Sequence, residues 1–382
     1  MSEVAEFRSD VSAWIADNCP DGAKGPGQLA NGSTKIELEK DVAIWLERCA
    51  EKGFTAPTWP TEFGGGGLSA ELAKVLFEEM GKANARTPLT GMGMTMIGPT
   101  LLEYGSAEQK ARHLKGIASG EIRWCLGLSE PNAGSDLASL STKAEDKGDY
   151  FALNGQKVWT SNARDAAFGM LLVRPDVDVP KHRGITYLIL DMATPGIDIR
   201  PLKQPTGRSE FNEVFLDDVR VPVSNRIGDE GAGFMYQMLQ FQEERLWAGA
   251  NSLVGLENII KWTIEYTRQR TAFKKSILDN QVVHFRLAEL STEIEALRAL
   301  VYRATELHIA GENVTRLASM AKLKCGRLSR EVADSCLQYW GGMGFMWETQ
   351  IAKCYANSRV TTIYAGTNEI MKELIARKIT RD

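Results

Sequence analysis

Cysteine pairs, histidine pairs and long apolar runs are all missing from this chain of 382 residues. The six cysteines (Cys19, Cys49, Cys125, Cys325, Cys336 and Cys354) show no CxxC spacing. That excludes a zinc ribbon or a disulfide framework and suits reduced thiols, so the expected location is cytoplasmic. Only four histidines occur, His113, His182, His284 and His308, and none forms an HxxxH pair; no metal is expected. No run reaches the ~18 apolar residues of a membrane-crossing helix. The first residues are acidic and lack an apolar segment, so no secretory signal is expected. With 45 basic and 49 acidic residues the net charge is −4. No basic patch invites nucleic acid, and an anionic substrate would depend on local Arg or Lys.

What remains is a globular composition, 43% apolar and 25% charged, long enough for roughly two to three domains. The pattern changes twice. Residues 1–120 read as helical, with apolar residues at helical spacing over 4–18, 37–52 and 69–85, and Ser69 as an N-cap. The glycines at 64–67 have no Lys-Ser/Thr after them and no strand before them, so they read as a turn and not as a phosphate loop. Residues 121–230 switch to period two and turns, a compact β domain. Strands are expected at 124–128, 168–174, 184–191 and 213–221, with a hairpin turn at Asn154-Gly155 inside the segment 150–159. Residues 231–382 return to long amphipathic patterns over 233–268, 280–310, 314–340 and 366–378, joined by short loops as in an antiparallel bundle.

Several stretches carry possible chemistry. The run 124–128 ends in Ser129-Glu-Pro-Asn-Ala-Gly-Ser135, a turn whose small residues and hydroxyls let a flat, polar-edged ligand approach the backbone; the same pattern also serves an ordinary strand-end turn. Trp159-Thr-Ser161 offers an aromatic face and hydroxyls nearby. Met92, Met94 and Met96, separated by small residues, suit either core filling or an apolar pocket. On the helix over 233–268, Glu244 shares its face with Gln240, Phe241 and Trp247. Such a carboxylate is either a solvated edge residue or a partly desolvated base with a raised pKa. Arg245 beside it reads as a surface pair or a site residue.

These stretches, with the segments 268–275, Gln338-Tyr-Trp-Gly-Gly342 and Ile363-Tyr-Ala-Gly-Thr-Asn-Glu-Ile-Met371, stand in one order over essentially the whole chain. Together they resemble the acyl-CoA dehydrogenase family of flavoproteins. The resemblance implies an α+β chain of three domains: helical over 1–120, a β-barrel or sandwich over 121–230, and a four-helix bundle over 231–382. It also implies FAD, held noncovalently between the β domain and the bundle. Leu126, Leu128, Ser129 and Ser135 match the segment lining the flavin and its ribityl–phosphate chain, and Trp159 and Ser161 match positions packing on the ring. Arg270, Phe273, Gln281, Gln338 and Gly342 match positions reaching the adenosine diphosphate half of an FAD in a neighbouring subunit, where a guanidinium fork suits pyrophosphate. Thr367 and Glu369 match flavin contacts after the last loop. A homotetramer built as a dimer of dimers follows from such sharing.

The implied reaction is α,β-dehydrogenation of an acyl-CoA thioester, with electrons passed to an electron-transfer flavoprotein. A carboxylate takes the α proton, and the flavin ribityl hydroxyl with a backbone N–H of the Tyr364-Ala365 loop polarises the thioester oxygen, Ala365 and Gly366 matching substrate contacts. Many members carry the base where this chain has Ala365, which cannot accept a proton. A smaller branch, including the isovaleryl-CoA and long-chain enzymes, places it on the long helix, where Glu244 matches. Arg245, Phe241, Trp247, Ser135 and the three methionines would then contact a branched, long or bulky acyl group. Ser129 and Asn132 depart from the commoner Thr and Gly without changing the loop chemistry. The alternatives are a related flavin oxidase or desulfinase-like enzyme, and one subunit of a heteromeric dehydrogenase.

Overall fold

Proline decides where the first helix stops. In the computed structural model, which describes residues 3–32 and 36–381, α1 (Glu3–Asn18) ends just before Cys19 and Pro20, since proline offers no N–H to continue the ladder. α2 (Lys40–Glu51) and α3 (Ala70–Lys82) follow. Ser69 caps α3 as expected, accepting from the Leu72 N–H at 3.2 Å, which satisfies one orphan donor of the first turn. Val11, Ile15, Trp45, Cys49, Val75 and Leu76 form the core of this region. The glycine run 64–67 is a turn: a Cβ at Gly66 would stand 2.9 Å from the Pro57 carbonyl oxygen. A π-helical turn, Gly93–Ile97, leads into α4 (Gly98–Tyr104) and α5 (Ala107–Ala118).

The strands are β1 (Trp124–Gly127), β2 (Lys143–Asp146), β3 (Tyr150–Lys157), β4 (Phe168–Val173), β5 (Thr186–Asp191), β6 (Ile197–Leu202), β7 (Phe211–Pro222) and β8 (Arg226–Ile227). They make two four-stranded sheets, ordered β1-β4-β5-β8 and β2-β3-β7-β6. Only the β1–β4 pair among them is parallel. Leu171, Val173, Leu188 and Leu190 from one sheet meet Phe151, Leu153, Val214 and Val219 from the other. This apolar layer of interdigitated inner faces is what two sheets need to stay together.

The expected hairpin turn at Asn154-Gly155 is not there. β3 runs straight through it, and the pair forms a bulge where the register with β7 shifts between Leu153 and Gly155. Asn154 Oδ1 accepts from the Asp218 N–H at 3.0 Å, and Gly155 takes φ +153° with Thr142 so close that a Cβ would sit 2.8 Å from its Cα. Glycine is used here for close approach, as at bulges generally, and pairing with β7 outweighs the local turn preference. The hairpin lies earlier, between β2 and β3.

Residues pack into two units, Met1–Gln204 with Ser209–Gln237, and Pro205–Arg208 with Met238–Asp382. Within the first, Gln109 of α5 joins helices to strands by donating to the carbonyls of Ser224 and Arg226, both at 2.8 Å. The second holds most of α6 (Gly233–Gln269), a two-residue hairpin β9 (Thr271–Ala272) and β10 (Lys275–Ser276), α7 (Gln281–Ile309), α8 (Thr315–Trp340), α9 (Gln350–Ser358) and α10 (Asn368–Arg381). Leu253, Leu256, Leu290, Leu297, Leu328 and Val332 centre its core. The helical, β and helical order is the expected α+β class. No helix among the described residues is long and apolar enough to cross a membrane.

Candidate active site

In the first unit the loop after β1 is held from beneath. Glu130 and Ala133 exchange backbone hydrogen bonds at 3.0 Å, and the Val158 N–H donates to the Ser129 carbonyl at 2.9 Å. Below them Lys157, with no exposed surface, donates to Glu130 Oε1 at 2.8 Å and to the Leu128 carbonyl at 3.3 Å. Glu130 also accepts from the Ser141 and Thr142 N–H groups. Burial raises its pKa, but the Lys157 charge and these donors win and bring it down to about 2. With its base fixed, the loop leaves Leu126, Leu128 and Ser129 half-buried and Ser135 exposed. Trp159, just past β3, is 59% exposed with φ +60°, a backbone state that non-glycine residues seldom adopt. Ser161 is half-buried beside it.

The methionines divide. Met96 is buried, Met94 packs beside the cluster of Ala30, Val42, Leu46 and Leu89, and Met92 is half-buried. Met94 and Met96 therefore serve the core of their own unit.

In the second unit Glu244 is half-buried, and its Oε2 is shielded from water with no hydrogen-bond partner among the described residues. Burial pushes its pKa up to about 7, against the lowering charges of Arg245 and Lys322. Arg245 is buried, not a surface residue, with its guanidinium carbon 5.3 Å from the Phe241 ring centre. The apolar wall expected from Phe241 and Trp247 is only half present: Trp247 is 52% exposed.

The residue that sequence reasoning missed is Lys322 on α8. It is fully buried, donates to the carbonyls of Thr361 (3.0 Å) and Gly366 (2.7 Å), and lies 5.3 Å from the Tyr364 ring centre. Its position among buried Ala318, Cys325 and Ser329 at helical spacing was the available signal. The turn it holds contains Ala365 (φ +54°) and Gly366 (φ +87°). Thr367 Oγ1 accepts from the Ile370 N–H at the start of α10, and Glu369 is exposed.

Arg270, Gln281, Gln338 and Gly342 stand at the ends of α6, α7 and α8. Tyr266 and Trp340 stack at 4.1 Å to tie two of those ends together, and Arg270 donates to the Trp340 carbonyl at 3.1 Å. Gln281, Gln338 and Gly342 are exposed, and Phe273 at the hairpin tip is 99% exposed. Taken unit by unit, the exposed indole and serine loop of the first suit a flat ring, and the exposed guanidinium and amides of the second suit an anionic group. Thr160 Oγ1, buried without a partner among the described residues beside Trp159, fits as well.

An α–β–α chain with a serine-lined strand-end loop and a half-buried helix carboxylate fits a flavoprotein dehydrogenase class. Family models agree: acyl-CoA dehydrogenase N-terminal, middle and C-terminal domains match residues 3–121, 125–219 and 231–380. The chain is 34% identical to acyl-CoA dehydrogenase IpdE1 of Mycolicibacterium smegmatis, over 99% of this chain and 98% of that one. It is also 34% identical to the mitochondrial long-chain specific acyl-CoA dehydrogenase of Sus scrofa, over 89% and 79%. The crystal structure of acyl-CoA dehydrogenase from Geobacillus kaustophilus superposes with a TM-score of 0.82 at 32% identity, covering 100% and 98%. The protein belongs to the acyl-CoA dehydrogenase family. It is an FAD-dependent oxidoreductase of fatty acid metabolism.

Proposed function

We propose that the protein dehydrogenates a branched, long or bulky acyl-CoA between its α and β carbons, with Glu244 as the base and an electron-transfer flavoprotein as electron acceptor. The observation that carries this reading is the shielded, unpartnered Oε2 of Glu244, with its pKa near neutrality. A carboxylate stripped of water is strengthened as a base and can take an α proton at physiological pH. Ala365 carries only a methyl group, which supports giving that task to Glu244. The N–H groups of the Ala365–Gly366 turn would hold the thioester oxygen as negative charge grows on it.

Bound FAD supplies the hydride acceptor. Leu126, Leu128, Ser129, Ser135, Trp159 and Ser161 would hold its flavin end, with Thr367 and Glu369. Arg270, Phe273, Gln281, Gln338 and Gly342 would reach the adenosine diphosphate of a neighbouring subunit's FAD. A homotetramer follows, supported by the apolar side chains left bare near those helix ends, Phe273 (99%), Val282 (73%) and Phe345 (90%), which soluble monomers seldom display together. Arg245, Phe241, Trp247, Ser135 and Met92 are the proposed substrate contacts. The division at 120/121 and 230/231 belongs to the same reading and is supported by the three matched segments. A cytoplasmic location is supported by six cysteines without a disulfide, five of them buried.

Anaerobic mixing of the purified yellow protein with short, branched, long and polycyclic acyl-CoA thioesters tests the proposal. Bleaching of the flavin is expected with the bulkier members and none in Glu244→Gln. Peroxide release at the rate of turnover in air would make it an oxidase instead, and a fully active Glu244→Gln would remove the base assignment.

A further inference from the structure

A lysine with no exposed surface is rare because desolvating an ammonium is costly unless every donor is used. α8 places Lys322 on its core face, and all the partners it finds belong to one short turn. Its Nζ donates to Thr361 O at 3.0 Å and Gly366 O at 2.7 Å, and the Tyr364 ring centre lies 5.3 Å away. The turn also rests directly on α8: Thr361 Oγ1 donates to the Gly326 carbonyl at 3.2 Å, and a Cβ at Gly326 would stand 2.9 Å from Thr361 O. Between the two anchored carbonyls Ala365 holds φ +54°, a conformation that a non-glycine residue keeps only where its surroundings impose it.

The same ammonium faces charges from each element around it. Glu244 and Arg245 act on it from α6, Cys325 from α8 itself, and Glu369 from α10; the Tyr364 hydroxyl stands on the turn. Burial pushes the Cys325 thiol and the Tyr364 hydroxyl up, so both are neutral at pH 7. Burial lowers the Lys322 pKa to about 8, so at pH 7 it is still mostly a cation toward Glu244, which has no ion pair of its own among the described residues.

We propose that Lys322 is a positioning residue for the dehydrogenation, its ammonium locking the Ala365–Gly366 turn and adding to the positive charge of Arg245 near Glu244. This rests on Glu244 being the base.

The test compares holoenzyme carrying Lys322→Met, Lys322→Gln or Lys322→Arg with the wild type and Glu244→Gln. Two readouts are taken: the pH profile of kcat/KM, and hydrogen exchange of the backbone over residues 359–367. Lys322→Met is expected to lose kcat on the order of 10- to 100-fold, the scale of a misplaced catalytic group. Its acid limb should move to higher pH by about one unit, because a cation close to a carboxylate favours the ionised form. Exchange in the turn should quicken while the rest of α8 keeps its protection. Lys322→Arg should restore the limb, since the charge returns. Should Lys322→Met fail to fold, Lys322→Gln carries the same expectation, as it keeps a donor but no charge. A limb and an exchange pattern identical to wild type in the neutral variant, with Glu244→Gln inactive, would overturn the role of Lys322 alone. An active Glu244→Gln would overturn the base on which it rests.

Discussion

Lys157 Nζ and Glu130 Oε1 lie 2.8 Å apart with 0% and 5% of their side chains exposed. This pair pins the loop that begins at Ser129 to the end of β3, so the loop's shape depends on a charge contact as well as on its own turn residues. Lys157→Met leaves an uncompensated carboxylate, a loss on the order of 3–5 kcal/mol. Urea melts at pH 7 should show it, with a falling ratio of flavin to protein absorbance.

The same pair has a pH signature. Glu130 titrates at about 2 in the folded chain against an ordinary 4.5. A depressed carboxyl pKa adds stability above pH 4.5 that is lost as pH falls toward 2. Glu130→Gln should therefore narrow the difference in melting temperature between pH 6 and pH 3. An unchanged difference would mean that other groups govern acid unfolding.

Glu244 shows the opposite sign. Its folded pKa is raised to about 7, so its contribution is full below pH 4.5 and declines as pH rises through 7. Glu244→Gln is expected to match the wild-type melting temperature near pH 5 and exceed it at pH 8, while losing roughly 10²–10⁴-fold in flavin reduction. In the wild type, kcat/KM should climb as pH passes 7, because only the ionised form accepts a proton. Stability gained where activity is lost would mark a carboxylate kept dry for chemistry.

Ala365 occupies a left-handed turn in reach of the Lys322 anchor. Adding Ala365→Glu to Glu244→Gln should restore flavin reduction to on the order of 10²-fold above the single variant, the worth of a positioned base. The strain of a non-glycine side chain there is already accommodated by Ala365. A double variant as inert as Glu244→Gln would show that the turn cannot present a carboxylate.

At the bulge, Gly155→Ala should destabilise the β region by about 1–3 kcal/mol, the cost of forcing a side chain into a strained backbone and an occupied space. Thermal unfolding followed by circular dichroism measures it, and a neutral substitution would mean that β3 slides to make room.

The sequence alone determined the spans of α1–α3, α6–α8 and α10, the Ser69 cap and the serine-lined loop, because caps, periodicity and turn chemistry act within a few residues; it left the shorter α4, α5 and α9 unplaced. It missed β2 and β6: β2 buries only Ala144, and β6, though Ile197-Asp-Ile-Arg200 alternates, has no fully buried residue and carries Pro201. It misread Asn154-Gly155 because local preference says turn where pairing with β7, some 60 residues on, imposes a bulge. Glu244 could be named from a resemblance, but whether it was wet or dry was for the fold to decide. Lys322 shows why: its two acceptor carbonyls lie 39 and 44 residues downstream. Burial and electrostatics depend on which distant groups arrive at one place, and only tertiary packing sets that.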